Sequence, residues 1–241
     1  MSDPTERAEL KSPWWLALRV IDEPGAVFSQ LAIKPVFLIP IILLVFTTAI
    51  VAIGMPSSML REQAERQADM IEQRDPDRLT EEDRVEMLEN ASSPKARALY
   101  IFGIGSVGSI VVLLIVAGVL RLIFGAVGTE PLKFKDELAI TTHAWMPQLF
   151  GGILMVLLWR YAGFEQTLSL GFLVPGEGFL HNLAAGITLF GVWTVYLLAL
   201  GNQVRTRMKG IGTALTIVGG LYILVKLVSA GFATLATGLG G

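Results

Sequence analysis

Cysteine is absent from the 241 residues, which excludes disulfides, thiol redox chemistry and cysteine metal sites. Histidine is scarce. The only two, His143 and His181, fall on opposite predicted faces of a membrane and cannot share an ion, so no metal site is expected. No Ser-His-Asp set, phosphate loop or paired-carboxylate arrangement stands in the apolar parts of the chain. No catalytic residue and no cofactor are therefore assigned, and an enzyme is the least supported class. The net charge of −2 is uninformative as a total. Nucleic acid is not among the expected partners.

Charge is also nearly missing from five long stretches: Val36 to Gly54, Ala98 to Leu120, Thr141 to Tyr161, Leu183 to Gly201 and Ile211 to Ala230. At a rise of ~1.5 Å per residue, each is long enough to cross a hydrocarbon core of ~30 Å. With 53% hydrophobic residues and a mean hydropathy of +0.60, the chain lies outside the usual soluble range. The expected fold is all-α: a polytopic five-helix transmembrane bundle. Residues 1–35 form a cytoplasmic segment with an interfacial helix, residues 36–241 the five-span membrane domain, and residues 55–97 a charged helical extracytoplasmic loop. The leading segment is acidic and the first apolar run starts late, so Val36 to Gly54 reads as an uncleaved signal anchor.

The basic residues give the expected orientation. Arg7, Lys11, Arg19 and Lys34 precede the first span; Arg121, Lys133 and Lys135 lie between the second and third; Arg205, Arg207 and Lys209 lie between the fourth and fifth. The connection from Tyr161 to Asn182 has no basic residue. Short loops dominate this count, which places the N-terminus in the cytoplasm and the C-terminus outside. The loop Met55 to Arg97 holds seven basic and eleven acidic residues, and long loops cross largely regardless of charge.

Local chemistry predicts several helices. Pro13 to Ile21, rich in tryptophan, reads either as an amphipathic helix on the inner leaflet or as a helix packed against the spans. Pro24 starts a second short helix ending near Ile33. Pro35 and Pro40 flank and interrupt the start of the first span, where Pro40 is expected to kink it. In the outer loop, Met59, Leu60, Ala64, Ala68 and Ile71 make a thin apolar stripe, and Glu62 and Arg66 pair at the four-residue spacing. Asp75-Pro76-Asp77 breaks that helix, and Thr80 with Asp83 opens the next as a capping box. Asn90-Ala91-Ser92 matches a glycosylation sequon, a triplet that also arises by chance. Gly103, Gly105, Ser106, Gly108 and Ser109 let the second span pack closely, within the chain or across a dimer.

Polar groups inside a span mark functional candidates. The third span opens with Thr142, His143, Trp145, Pro147 and Gln148. Pro147 frees the carbonyl of His143, so this stretch reads either as a polar pocket under the cytoplasmic surface or as part of the interfacial belt. Lys226 either snorkels to the outer interface or pairs with Glu165 or Glu177. Arg19, Lys34, Arg121, Lys133, Lys135, Arg205, Arg207 and Lys209 form a candidate anionic-lipid rim at the inner boundary. The positive-inside pattern alone produces the same distribution.

The order of features resembles bacterial members of the Ypt-interacting protein (Yip) domain family. The resemblance rests on Trp14, Pro24 and Phe28 before a proline-flanked first span, and on Phe134-Lys135-Asp136-Glu137-Leu138-Ala139-Ile140 through Trp145-Met146-Pro147. Leu189-Phe190-Gly191-Val192-Trp193 to Leu198-Ala199-Leu200-Gly201 completes it, so that it covers about Trp14 to Ala230. Eukaryotic relatives act between endoplasmic reticulum and Golgi and associate with Rab-type GTPases and with one another. This chain lacks their long cytoplasmic N-terminal region and their Asp-Leu-Tyr-Gly-Pro signature, which counts against GTPase binding. Two functions remain in competition. One is a non-enzymatic membrane organiser that binds lipids, partner membrane proteins or a second copy of itself, in trafficking or envelope homeostasis. The other is a small-solute or lipid transporter or channel using the polar groups of the third span.

Overall fold

The computed structural model describes residues 11–75, 79–91, 93–128, 130–162, 169–176 and 178–238. They form twelve α-helices: α1 (Pro13–Arg19), α2 (Pro24–Ile33), α3 (Leu38–Gly54), α4 (Ser57–Arg74), α5 (Glu81–Ala91), α6 (Pro94–Leu99), α7 (Ser106–Val127), α8 (Phe134–Ala144), α9 (Met146–Leu157), α10 (Phe179–Ala185), α11 (Leu189–Thr206) and α12 (Gly212–Gly238). The only β pairing among the described residues is a single bridge between Ser169 and Thr188.

Three helical stretches are long and apolar enough to cross a membrane unaided: Ser106–Val127, Phe134–Tyr161 and Gly212–Leu235. The bent pair α3 and α4 makes a fourth if counted as one span. The apolar run expected from Leu183 to Gly201 is instead divided, because α10 ends at Ala185 and α11 begins at Leu189.

Prolines explain several helix starts. Pro13 and Pro24 occupy the first positions of α1 and α2, where a missing N–H costs nothing. Pro40 lies in the first turn of α3 and Pro147 is second in α9, so neither removes a bond from a helix interior. The chain turns only at Trp145, whose N–H still reaches the Thr141 carbonyl at 3.1 Å. Two π-helical segments, Tyr100–Gly105 and Leu158–Ala162, adjoin α7 and α9. Such local widening had no counterpart in the reading of periodicity.

The chain divides into two compact units. The first comprises Met1–Leu44, Val112–Leu149 and Phe190–Leu224. Its core gathers Leu16 from α1 and Val20 just after it, Val27, Phe28 and Leu31 from α2, Ile140 and Ala144 from α8, and Leu197 and Leu198 from α11. Between helices in a bilayer such contacts stabilise through close van der Waals packing rather than through removal from water. The opposite side of α1 leaves Trp14 and Leu18 half exposed. α1 is therefore packed on one side and open on the other. Gly201 on α11 permits close approach: a Cβ there would lie 2.6 Å from Ile140 Cγ2 and 2.9 Å from Phe28 Cε1.

The second unit comprises Val45–Val111, Phe150–Leu189 and Val225–Gly241. In it α4 and α5 pair through Arg84, which bonds Asp69 at 2.7 Å and Glu72 at 2.8 Å. Glu62 and Arg66 pair along α4. Thr80 and Asp83 open α5 reciprocally: the Asp83 N–H donates to the Thr80 hydroxyl at 3.1 Å, and the Thr80 N–H donates to Asp83 Oδ2 at 3.1 Å. Arg97 donates to the carbonyls of Ala52, Ile53 and Met55 at 2.7, 3.2 and 2.9 Å. It thus caps the C-terminal end of α3, whose last carbonyls have no partner within the helix. Pro76, Asp77 and Ser92 lie outside the described residues, as do Glu165 and Glu177.

Candidate functional site

The first unit contains a buried polar seam between α8 and α11. Every residue of α8 from Asp136 to Ala144 is buried, an unusual state for a helix this polar. Its start is held by Asp136, which accepts the Lys133 N–H at 3.2 Å. The same carboxylate oxygen accepts from Arg205 Nη2 at 2.7 Å, and that nitrogen also reaches the Pro131 carbonyl at 3.2 Å. With side chains only 7% and 20% exposed, Asp136 and Arg205 form a largely desolvated pair. Such a pair depends on both members being present.

One residue further on, Glu137 is fully buried. Its Oε1 accepts from Asn202 Nδ2 at 3.1 Å and from the Thr141 hydroxyl at 3.4 Å. Asn202 Nδ2 also donates to the Leu198 carbonyl at 3.1 Å, and the Thr206 hydroxyl donates to the Asn202 carbonyl at 2.7 Å. Glu137 Oε2 and Asn202 Oδ1 have no hydrogen-bond partner among the described residues. Asp136 and Glu137 at the start of α8 thus meet Arg205 and Asn202 of α11, and further along, Gln148 of α9 donates to Thr194 of α11 at 3.3 Å.

Thr142 and His143 are buried and turn back on their own helix. The Thr142 hydroxyl donates to the Ala139 carbonyl at 3.2 Å. His143 Nδ1 lies 2.8 Å from the same carbonyl. A carbonyl only accepts, so Nδ1 carries the proton. His143 Nε2 has no partner among the described residues. Trp145 is partly buried against the core, and Pro147 is buried beside the half-buried Gln148.

A family model described as the Yip1 domain matches residues 18–233. The chain belongs to the Yip1 domain family. No curated protein and no solved structure matches it. Membership and the long apolar helices together make this Yip1-family chain an integral, multi-pass membrane protein. The matched range takes in the whole α8–α11 seam, and Lys11 precedes it.

All eight rim residues of this Yip1-family protein fall in the first unit. Three have acidic partners: Arg19 bonds Asp22 at 3.1 Å and also Glu23, Arg205 bonds Asp136, and Arg207 bonds Glu130 at 3.3 Å. Lys34, Arg121, Lys133, Lys135 and Lys209 are exposed, and no ion pair forms at them among the described residues. In the second unit, Lys226 packs against Gly186, where a Cβ would come within 3.2 Å of Lys226 Cδ. His181 Nδ1 lies 2.7 Å from the Val174 carbonyl, and Asn182 donates to Thr234 at 3.2 Å.

Sequence reasoning singled out Thr142, His143 and Gln148 but passed over Glu137, Asn202 and Thr194. The signal was faint. Glu137 and Thr141, like Asn202 and Thr206, are polar pairs four residues apart, which share a helix face. No acidic, histidine or cysteine cluster suited to a metal ion occurs among the described residues.

Proposed function

We propose that this protein is a non-enzymatic membrane organiser that binds anionic lipids along its basic rim and associates with partner membrane proteins or a second copy of itself. The observation that carries this reading is the set of five exposed cations gathered in one unit: Lys34, Lys133 and Lys209 between helices, Arg121 on α7 and Lys135 in the first turn of α8. Each basic residue near an anionic surface attracts it by ~1 kcal/mol. The positive-inside pattern supports a cytoplasmic level for that unit with the C-terminus outside, and the resemblance to bacterial family members supports a bacterial inner membrane. The role is in trafficking or envelope homeostasis. Native mass spectrometry of protein taken from mixed anionic and zwitterionic bilayers tests the reading. Retained anionic lipid, or a self-associated species, is the expected result. A lipid-free monomer would remove its support.

A second reading, a small-solute or lipid transporter, is favoured by one observation. Glu137 Oε2, Asn202 Oδ1 and His143 Nε2 are buried polar atoms of one unit without partners among the described residues, and intramembrane polar groups of this kind often line transport paths. Flux assays in proteoliposomes with Glu137→Gln and His143→Ala test it. Silent flux in the parent protein would end this reading.

A further inference from the structure

The first unit also holds a cavity of about 200 Å³ lined by Lys11, Ser12, Pro13, Leu16, Gln30, Lys34 and Val36. It is set between the start of α1 and the passage from α2 to α3. Its polar lining is one-sided. Two residues are cationic, two are neutral, and none is acidic. No ion pair at Lys11 or Lys34 forms among the described residues.

The two neutral groups are oriented by their own bonds. Gln30 Oε1 accepts the Lys11 backbone N–H at 2.9 Å, which leaves the amide NH₂ as the free end of Gln30. Ser12 Oγ accepts the Trp15 N–H at 3.2 Å, and its own hydroxyl proton remains available to donate. Ammonium groups, an amide NH₂ and a hydroxyl make a lining of donors, and their complement is an anion rich in acceptor oxygens. Pro13, Leu16 and Val36 supply an apolar side to the same cavity.

The neighbours along the chain argue for where that anion comes from. Trp14 is 52% exposed, Ile33 66% and Leu38 61%. Each lies within two residues of a lining residue. In a membrane protein, exposed tryptophan and aliphatic side chains beside lysines mark the level of the lipid headgroups. We infer that this cavity binds the phosphodiester of an anionic lipid headgroup, with Lys11 and Lys34 opposing its charge and Gln30 and Ser12 donating to its oxygens. The inference rests on the anionic-lipid reading above and assigns one discrete site within it.

The test uses the full chain in phosphatidylcholine nanodiscs titrated with phosphatidylglycerol, with bound lipid counted by native mass spectrometry. Lys11→Gln/Lys34→Gln is compared with Lys133→Gln/Lys135→Gln, which removes the same charge outside the cavity. The loss of two surface lysines weakens phosphatidylglycerol binding by up to about thirtyfold in either variant, and the cavity variant is expected to lose about a further tenfold because its ammonium groups also bond the phosphodiester oxygens directly. Lys11→Arg/Lys34→Arg is expected to retain affinity. Gln30→Leu, which keeps both charges, is expected to weaken binding as well. A loss no larger than that of the Lys133/Lys135 variant would overturn the site while leaving the rim reading standing. A parent protein with no preference for phosphatidylglycerol over phosphatidylcholine would overturn both. Displacement of the lipid by inorganic phosphate in the parent, and not in the cavity variant, would assign the site to a soluble anion and overturn the lipid assignment.

Discussion

Replacing Gly201 by alanine sets two opposed effects against each other at a single atom. Within a helix, alanine is favoured over glycine by roughly 0.5–1 kcal/mol. At Gly201 the added Cβ would lie 2.6 Å from Ile140 Cγ2, 2.9 Å from Phe28 Cε1 and 3.0 Å from Phe28 Cδ1. Neither neighbour is the free end of a flexible side chain, since Phe28 is 1% and Ile140 3% exposed. Overpacking of this kind costs about 1–3 kcal/mol, so Gly201→Ala is expected to destabilise by about 1 kcal/mol after the helix gain is subtracted. Gly118 on α7 gives the contrast, because nothing lies within 4 Å of its added Cβ. There only the helix term acts, and Gly118→Ala is expected to stabilise by about 0.5–1 kcal/mol. Reversible unfolding in bicelles, followed by steric trapping, measures both. In the double variant with Ile140→Ala, the two losses should sum to more than the observed effect, because the nearest clash is gone. A Gly201→Ala protein as stable as Gly118→Ala would refute the reasoning, and with it the close meeting of α2, α8 and α11.

Three further outcomes follow from the same structure. Arg205→Ala leaves the buried Asp136 carboxylate without its cation and is expected to cost about 3 kcal/mol, seen in the same unfolding assay, whereas Arg205→Met with Asp136→Leu should cost much less. Arg97→Ala removes the donor shared by three carbonyls at the end of α3 and is expected to cost about 1–3 kcal/mol; Arg97→Lys should restore only part, since one ammonium cannot reproduce the guanidinium fork. The Thr80 hydroxyl and N–H hold the Asp83 carboxyl below its ordinary range. A depressed folded-state value stabilises α5 above the ordinary carboxylate range and loses that effect as pH falls through it. Amide exchange in α5 should therefore quicken on acidification, and Asp83→Asn should flatten the dependence.

What the sequence disclosed was mostly what lies within one or two helical turns. Pro13, Pro24, the Glu62–Arg66 pair and the Thr80–Asp83 box all act over four residues or fewer, where chain geometry alone fixes who meets whom. The apolar runs disclosed the membrane class by the same directness, since length and hydropathy are additive along the chain. Partners across helices were different. Glu137 meets Asn202 across 65 residues, and Arg97 reaches Ala52 across 45. Those meetings depend on the rotation and register of two helices together, which neither segment encodes by itself. His143 stood out because it falls inside an apolar span, where a polar group is costly; Glu137 did not, because a charged residue near a helix entry looks like a solvated one. The division of the fourth apolar run between α10 and α11 was hidden as well. Hydropathy stays high across Gly186, Ile187 and Thr188, and only backbone geometry separates the helices.

The ion pair between Asp136 and Arg205 has a consequence for how the chain is made. The two residues are 69 positions apart, and at roughly 5–20 residues per second the ribosome delivers the second about 3–14 s after the first. During that interval α8 has no α11 to meet. Asp136 and Glu137 lie in the first turn of α8, where a charge costs an inserting helix less than the ~2.5–3.5 kcal/mol of its centre, and His143 lies two turns deeper. Phe134–Tyr161, the least hydropathic of the three stretches that pass as spans, is therefore expected to insert fully only once α11 has arrived. An arrest peptide placed between α9 and α11 should register little pulling force from α8, and one placed beyond Arg205 should register its delayed insertion.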